Sequence, residues 1–352
     1  MQRTVTAQLN ATIKSPAELA LSVVAARGAD RIDEHLRITV DGADVVAEEV
    51  AGNGGARWHL MRGVPAGNFV VDYRATVTSG GVAQDLTGGE RISYLRPSRY
   101  ADVDRLESTA RALFGSVGGS NNSSPSNAGG GAGGAGGGEV DGAATGAGGG
   151  EVDGGATGAG GAEVGGCAGG ATDGAGDGGS RDNGSTGSGD GGASSGAGGD
   201  DHRGDVATLH AVVNYVADHT AYIVGSSRVT DGASETYLAR AGVCRDFAHL
   251  TIALLRARGI PARLVSAFAP GLSPMDFHAV VEAYVAGAWY VVDPTRLAPR
   301  QSLVRIATGT DAAETAFLTT HSGDLRFGNL TVSAVVDGPL PPDDHTALVQ
   351  LA

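Results

Sequence analysis

The stretch GVCRDFAHLTIALLRARG, residues 242–259, decides the fold of the C-terminal part of the chain. From residue 246 onwards it is apolar almost all round, which is typical of a buried helix, and Gly259 with Pro261 ends that helix. Cys244, one of two cysteines, therefore lies at or just before the helix start. Because a helix N-terminus favours negative charge and lowers the pKa of a thiol, Cys244 is a candidate nucleophile as well as a candidate core residue.

A thiolate nucleophile needs a base, and the base needs an orienting group. FHAVVEAYVAGAWYVVDPT, residues 277–295, predicts a hairpin with a two-residue turn at Ala286-Gly287. That turn pairs positions whose numbers sum to 573, so Asp293 lies opposite Val280 and diagonal to His278 on one face. A three-residue turn would place His278 and Asp293 on opposite faces, so the prediction depends on the register.

Each of these residues also has an ordinary interpretation. A histidine on a strand is commonly a core or surface residue, and Asp-Pro commonly opens a turn. A metal site made of Cys244, His249 and His278 is a further alternative, but it lacks a fourth ligand at a suitable spacing. A helix-start cysteine followed by a histidine and an aspartate that the register pairs is best explained as a catalytic set.

Residues 117–204 differ in composition from the rest of the chain. They hold 37 of its 59 glycines, no aromatic residue, and a 12-residue repeat, GGGEVDGAATGA at 136–147 and GGGEVDGGATGA at 148–159. Such a segment buries too little apolar surface to offset its chain entropy, so we expect a disordered linker that contains Cys167. The repeat lacks the nine-residue period of calcium-binding β-helices.

The linker divides the chain into structured pieces. Several short strands with turn signals over residues 1–96 predict a β-sandwich. RPSRYADVDRLESTARALFG predicts a helix over 97–116, with Leu106, Ala110 and Leu113 on its apolar stripe. The C-terminal piece, 205–352, opens with a helix at 205–220, with Leu209, Val212, Val213 and Val216 on one side. The fold class expected is α+β.

Composition excludes some classes of function. The net charge is −14, which argues against a nucleic-acid partner, although about −9 of it belongs to the linker. The N-terminus has neither a basic region nor an apolar stretch, and no long apolar span follows. We therefore predict no signal peptide, no membrane partner and a cytoplasmic location. Two cysteines predict neither a disulfide framework nor a cysteine zinc site, and no cofactor is expected.

The chain resembles the bacterial transglutaminase-like superfamily in three blocks. These are AGVCRDFAHLTIALLRARGIPARLVSAF, FHAVVEAYVAGAWYVVDPT and VRIATGTDAAETAFLT. The resemblance spans about 205–335 and extends to an N-terminal β-sandwich. It implies a papain-like α+β core with Cys244 as nucleophile, His278 as general acid/base and Asp293 as orienting carboxylate. The animal enzymes have an upstream tryptophan for the oxyanion, which is missing here, so Tyr222 and the Cys244 backbone N–H are the candidates for that role.

The chemistry expected is attack on an amide of a protein or peptide substrate, a glutamine side chain in the simplest case, through a thioester. Transfer to an amine and hydrolysis share this first half. The single lysine, Lys14, and the absence of a secretory signal favour hydrolysis or a narrow acceptor. A cysteine peptidase or amidase is the alternative enzyme, and a non-catalytic protein-binding module is the alternative of another class. The oligomeric state is not predicted.

Overall fold

The structure is a computed structural model that describes residues 1–78, 85–115 and 198–351, with side chains from residue 204 in the last range. The expected disordered linker, with Cys167, lies outside the described residues up to 197. From Gly198 the chain is helical, so the helix predicted at 205–220 begins seven residues earlier.

The described strands and helices follow one another in this order: β1 Arg3–Leu21, β2 Arg31–Val40, β3 Ala43–Asp44, β4 Glu48–Ala51, β5 Arg57–Val64, β6 Gly67–Val77, α1 Gly88–Ser93, α2 Val103–Phe114, α3 Gly198–His219, β7 Ala221–Tyr222, α4 Ala233–Ala239, β8 Ala241–Gly242, α5 Cys244–Ala257, β9 Ala262–Phe268, β10 Phe277–Val285, β11 Ala288–Val292, β12 Val304–Gly309 and β13 Leu318–Val336. Helices and antiparallel sheets occupy separate parts of this order, which confirms the α+β fold class.

The N-terminal region is a seven-stranded antiparallel sheet. Two stretches that read as separate strands, TVTAQLNATI and ELALSVVAA, largely form one strand, β1, with several bulges along its pairing to β13. Alternate residues of its first half, Val5 to Ile13, are buried in the core as the period of two requires. The long strand β13 comes from the C-terminal part of the chain, so residues 1–96 do not complete this sheet alone.

The C-terminal region is built on a four-stranded antiparallel sheet in the order β11-β10-β9-β12. Helix α5 packs on β9 and β10, and helices α2, α3 and α4 pack around α5. All of α5 from Cys244 to Arg256 is buried, which confirms the buried helix expected from residues 246–259. The predicted buried side of α3 is also confirmed for Leu209, Val212, Val213 and Val216.

The prediction of the buried stripe of α2 is wrong for one residue. Leu113 is 39% exposed, whereas Phe114 is 3% exposed and stacks edge-on against Tyr215 of α3 at 5.6 Å. Leu106 and Ala110 are buried as predicted. The register of a helix near its last turn is decided by what it packs against, and here the larger aromatic side chain takes the buried position.

Among the described helices, none combines the length and the apolar composition that a membrane crossing requires.

Candidate functional site

The hairpin of β10 and β11 has the predicted register. Val285 pairs with Ala288 and Val281 with Val292, so the same register places Asp293 opposite Val280. The two turn residues, Ala286 and Gly287, have φ of 49° and 81°, as the two-residue turn of a tight hairpin requires. A left-handed conformation is easy for glycine and strained for alanine, yet the turn keeps its two-residue length.

This register brings His278 and Asp293 together. His278 Nε2 lies 2.7 Å from Asp293 Oδ2, and both side chains are fully buried. The other carboxylate oxygen accepts hydrogen bonds from the backbone N–H of Thr295 at 2.9 Å and from its hydroxyl at 2.7 Å. The imidazole is therefore held through Nε2 by a carboxylate that is itself fixed in place.

The surroundings keep Asp293 ionised. Burial alone raises the pKa of a carboxyl group, but the charge of His278 and the hydrogen bonds from His278 and Thr295 outweigh it. The pKa of Asp293 is lowered below its ordinary value as a result. Thr295 was not predicted from the sequence, although an aspartate often accepts a hydrogen bond from the N–H two residues on, which the Asp-Pro-Thr sequence would allow.

Cys244 is the first residue of α5, with Val243 as the N-cap, and it is completely buried. It belongs to the same buried cluster as Ala279 and Val281 of β10, and Ala279 follows His278 directly. A helix N-terminus favours negative charge, whereas burial in apolar surroundings disfavours it. The structure thus places the cysteine at the helix start, as predicted, in the part of the core that adjoins the histidine strand.

The start of α5 is held by a buried polar network. Asp246 is fully buried, and its Oδ2 accepts the N–H of Val243 at 2.8 Å and the hydroxyl of Ser227 at 2.5 Å. Its Oδ1 accepts a hydrogen bond from the guanidinium of Arg245 at 3.0 Å. Gly242 is required here, because a Cβ on it would lie 2.6 Å from the Asp246 Cβ.

This network was not foreseen from the sequence, although one local signal pointed to it. An acid three residues after the N-cap commonly caps a helix by reaching back to the N-cap N–H, and Asp246 stands in that position after Val243. The partners Ser227 and Arg228 are 17 to 19 residues away in the chain, so only the tertiary structure shows that they join the helix start.

Tyr222 lies beside the residues that lead into Cys244. Strand β7 pairs in parallel with β8, with Tyr222 opposite Gly242, and the Tyr222 ring is 6.0 Å from that of Phe247. Its side chain is 37% exposed. The oxyanion role of Tyr222 stays a hypothesis that this position allows.

His249 belongs to a different environment. It is buried, stacks on Tyr100 at 5.1 Å and accepts the Ala312 N–H at its Nε2. Burial lowers the pKa of His249 to about 4, so the ring is neutral near pH 7. In the described part of the chain no three His, Cys, Asp or Glu side chains come close enough to hold a metal ion.

The catalytic candidates are closed to solvent in this conformation. Cys244, His278 and Asp293 have exposed fractions of 0, 1 and 3%. The cavity that His278 lines with Ser266 and Thr315 measures about 10 Å³, which holds no more than about one water molecule. The Cys244 thiol is therefore not accessible from solvent in this conformation.

Part of the chain matches a known family model. Residues 196–294 match the model of the Transglutaminase-like superfamily. An uncharacterized protein of Mycobacterium tuberculosis is 41% identical over 63 residues, which is 18% of this chain and 20% of the relative. An uncharacterized protein of Mycobacterium leprae is 30% identical over 118 residues, which is 30% of this chain and 41% of the relative. The chain thus spans less than half of the length of either relative.

The fold of nearly the whole chain also has a solved counterpart. A crystal structure from Cytophaga hutchinsonii, described as a "Putative Cysteine Protease", superposes with a TM-score of 0.65 and 26% identity. The superposition covers 97% of this chain and 93% of that protein. Residues 196–294, which include Cys244, His278 and Asp293, therefore match the transglutaminase-like superfamily, and the resemblance seen in the sequence is confirmed.

Proposed function

We propose that the protein is a thiol enzyme that cleaves an amide through a Cys244 thioester, with His278 as general acid/base and Asp293 as the orienting carboxylate. The match to the superfamily supports a thiol enzyme at that level. The observation that carries the proposal further is the buried 2.7 Å contact between Asp293 and His278, which lies on the strand β10 against which helix α5, with Cys244 at its start, packs. A base held by an ionised carboxylate is what a thiol nucleophile requires.

The first half of the reaction forms one bond and breaks one. The thiolate sulfur of Cys244 attacks the amide carbonyl carbon, and protonated His278 gives its proton to the departing nitrogen. The carbon–nitrogen bond breaks, the amine or ammonia leaves, and a thioester remains. The Cys244 backbone N–H, at the start of α5, is the candidate donor to the oxyanion, with Tyr222 as a second candidate.

The second half depends on the group that attacks the thioester. Water gives a carboxylic acid, while a primary amine gives a new amide, and His278 accepts a proton in either case. We propose that water, or a narrow class of amine, is the acceptor. In the alternative, the acyl donor is a backbone amide and the protein is a cysteine peptidase. The name of the Cytophaga hutchinsonii structure favours this alternative.

A mass measurement tests which reaction occurs. A glutamine peptide and a fluorescent amine are incubated with the protein, and the peptide mass is followed. Hydrolysis of the side-chain amide adds about one dalton, transfer subtracts about 17 and adds the amine, and proteolysis splits the peptide, since each follows from the bond cleaved and the attacking group. Dominant amine incorporation would overturn the hydrolytic preference while leaving the roles of the three residues unchanged.

Alkylation separates an enzyme from a non-catalytic binding module. Iodoacetamide near pH 6 should label Cys244 faster than Cys167, because only an activated thiolate reacts quickly at that pH. Faster labelling of Cys167 would contradict the choice of nucleophile.

A further inference from the structure

Large apolar side chains are concentrated on the surface just upstream of Cys244. Of the 14 that are exposed in the described part of the chain, five fall within the 17 residues from 222 to 238. We name these five the apolar patch: Tyr222, Ile223, Val224, Val229 and Leu238. Leu238 is 78% exposed and Val229 61%. Exposed apolar side chains that are contiguous on a protein surface commonly mark a binding site.

One member of the apolar patch, Leu238, lines a groove between the loop of residues 226–231 and helix α4. The groove has a volume of about 450 Å³. Its lining combines the apolar Leu238, Ala239 and Ala241 with six polar residues: Ser226, Ser227, Arg228, Asp231, Glu235 and Thr236. This volume is in the range of sites that accept a small ligand or a few side chains.

The groove is close to the proposed nucleophile. Ala241 is three residues before Cys244, and consecutive Cα atoms are 3.8 Å apart, so the two Cα atoms are at most about 11 Å from each other. An extended peptide advances about 3.3 Å per residue. A peptide whose reactive amide lies at Cys244 therefore reaches the groove within about three residues.

The wall of the groove is tied to the helix that carries Cys244. Arg245 Nη2 donates to the carbonyl of Arg228 at 2.8 Å, and the Ser227 hydroxyl donates to Asp246. Arg245 and Asp246 are both buried, so these bonds fix the loop against the first turn of α5. A ligand in the groove is thereby held in a defined position relative to the helix start.

The charged side chains that line the groove form ion pairs with other residues of the protein. Arg228 pairs with Asp231 at 3.3 Å, and Asp231 also accepts the Arg228 N–H. Glu235 accepts the N–H of Gly232 at 2.9 Å and lies 3.7 Å from Arg105. Each charged residue of the groove thus faces a partner of opposite charge within the protein, so we expect the apolar part of the lining to set its selectivity.

We propose that this groove is the subsite for a large apolar side chain of the acyl-donor peptide, within three residues of the reactive amide. The proposal rests on the proposed function, because it assigns the groove to the substrate of Cys244. Burying one leucine side chain in the groove should favour a peptide about tenfold to hundredfold over its glycine counterpart.

The test uses irreversible labelling of the full-length protein in a Cys167→Ala background. Peptides carry a haloketone in place of the reactive amide, and leucine, glycine or aspartate is placed in turn at each of the three positions before and after it. We expect leucine at one position to raise the labelling rate at least about tenfold over glycine and further over aspartate. Iodoacetamide, which has no peptide, reports the reactivity of the thiol alone.

Two matched variants assign the preference to the groove. Leu238→Ser should reduce the leucine preference at least about fivefold and leave the iodoacetamide rate unchanged, because Leu238 is exposed and its loss removes only the apolar contact. Leu113→Ser, the same change at an exposed position of α2, should leave the preference intact.

The possible outcomes distinguish this proposal from the proposed function. If iodoacetamide and every peptide fail to label Cys244, the nucleophile is wrong and the subsite with it. If iodoacetamide labels Cys244 but the peptides show no leucine preference, or Leu238→Ser retains it, only the subsite is wrong. A dimer that Leu238→Ser dissociates would assign the apolar patch to self-association instead.

Discussion

At the scale of single residues, the two cysteines of the chain differ in their surroundings. Cys244 begins a buried helix, whereas Cys167 belongs to the glycine-rich segment. We expect Cys244→Ala to abolish turnover and to change the free energy of unfolding by only about 1 kcal/mol, since one small buried atom is lost. Cys167→Ala should change neither quantity. Turnover in the mass assay and thermal unfolding measure both, and residual activity in Cys244→Ala would contradict the mechanism.

The buried His249 leads to a separate prediction about the pH dependence of stability. The pKa of His249 is lowered to about 4 in the folded protein by burial, against an ordinary value of 6.5. The unfolded chain therefore binds the extra proton first as the pH falls, so stability is lost from about pH 6.5 down to about pH 4. The contribution of this residue is about 3 kcal/mol over that range.

Substitution isolates the contribution of His249. His249→Gln keeps an acceptor for the Ala312 N–H but does not titrate, so it should flatten the fall of stability between pH 6.5 and pH 4. Urea unfolding at several pH values measures this slope. The exposed His321 provides the control, and His321→Gln should leave the slope unchanged. A slope that is the same in His249→Gln and in the wild type would show that other groups carry the acid sensitivity.

At the scale of elements, the start of α5 depends on Asp246. Its carboxylate caps the helix, pairs with buried Arg245 and holds Ser227. Asp246→Asn should lower stability by about 3 to 5 kcal/mol, because Arg245 keeps a buried charge without its partner. Below the melting temperature, it should also slow alkylation of Cys244 and shift its pH profile, since the first turn of the helix loses its support.

A matched capping residue serves as the control for Asp246. Glu90 reaches back to the N–H and hydroxyl of Thr87 at the start of α1 in the same manner, but on an exposed helix. Glu90→Gln should cost about 1 kcal/mol of stability and leave the alkylation profile unchanged. Equal effects of the two substitutions on the alkylation profile would mean that Asp246 only caps the helix and has no specific effect on Cys244.

A substitution in the turn of the β10–β11 hairpin should raise the stability of the protein. Ala286 has a φ of 49°, which costs an alanine about 1 kcal/mol and suits asparagine in front of Gly287. Ala286→Asn should therefore raise the free energy of unfolding by about 0.5 to 1 kcal/mol without changing activity. Ala288→Asn, on the adjacent strand, should not stabilise the protein. Urea midpoints measure both, and a destabilising Ala286→Asn would contradict the turn conformation.

At the scale of the whole molecule, the chain leaves the N-terminal sheet after β6 and comes back to it late, while α2 and α3 both pack against α5. The glycine-rich segment separates α2 from α3, and β13 returns to the N-terminal sheet. Deleting residues 120–202 should leave a folded, active protein with a melting temperature unchanged or slightly higher, because a shorter loop costs less entropy to close.

The geometry permits this deletion. Phe114 contacts Tyr215, and Gly204 lies about 16 Å from Tyr215 along α3 at 1.5 Å per residue. After the deletion Gly119 is joined to Arg203, and the seven Cα–Cα steps from Phe114 to Gly204 span up to about 25 Å when extended. Calorimetry and the mass assay measure the result, and loss of cooperative unfolding in the deletion would mean that the segment packs against the rest.

The sequence by itself determined the parts of this protein that local rules govern. The apolar pattern of residues 246–259 specified the buried helix, and the turn at Ala286-Gly287 specified the register that brings His278 to Asp293. Period and turn chemistry are properties of neighbouring residues, so they can be read without knowing the partner surface.

Only the tertiary structure decided which distant segments meet. It placed β13 beside β1, exposed Leu113 while burying Phe114, and joined Ser227 to Asp246 at the start of α5. Many strands and polar side chains in a sequence are equally able to form such contacts. The choice among them is made by simultaneous burial and hydrogen bonding of the whole core, which no local pattern contains.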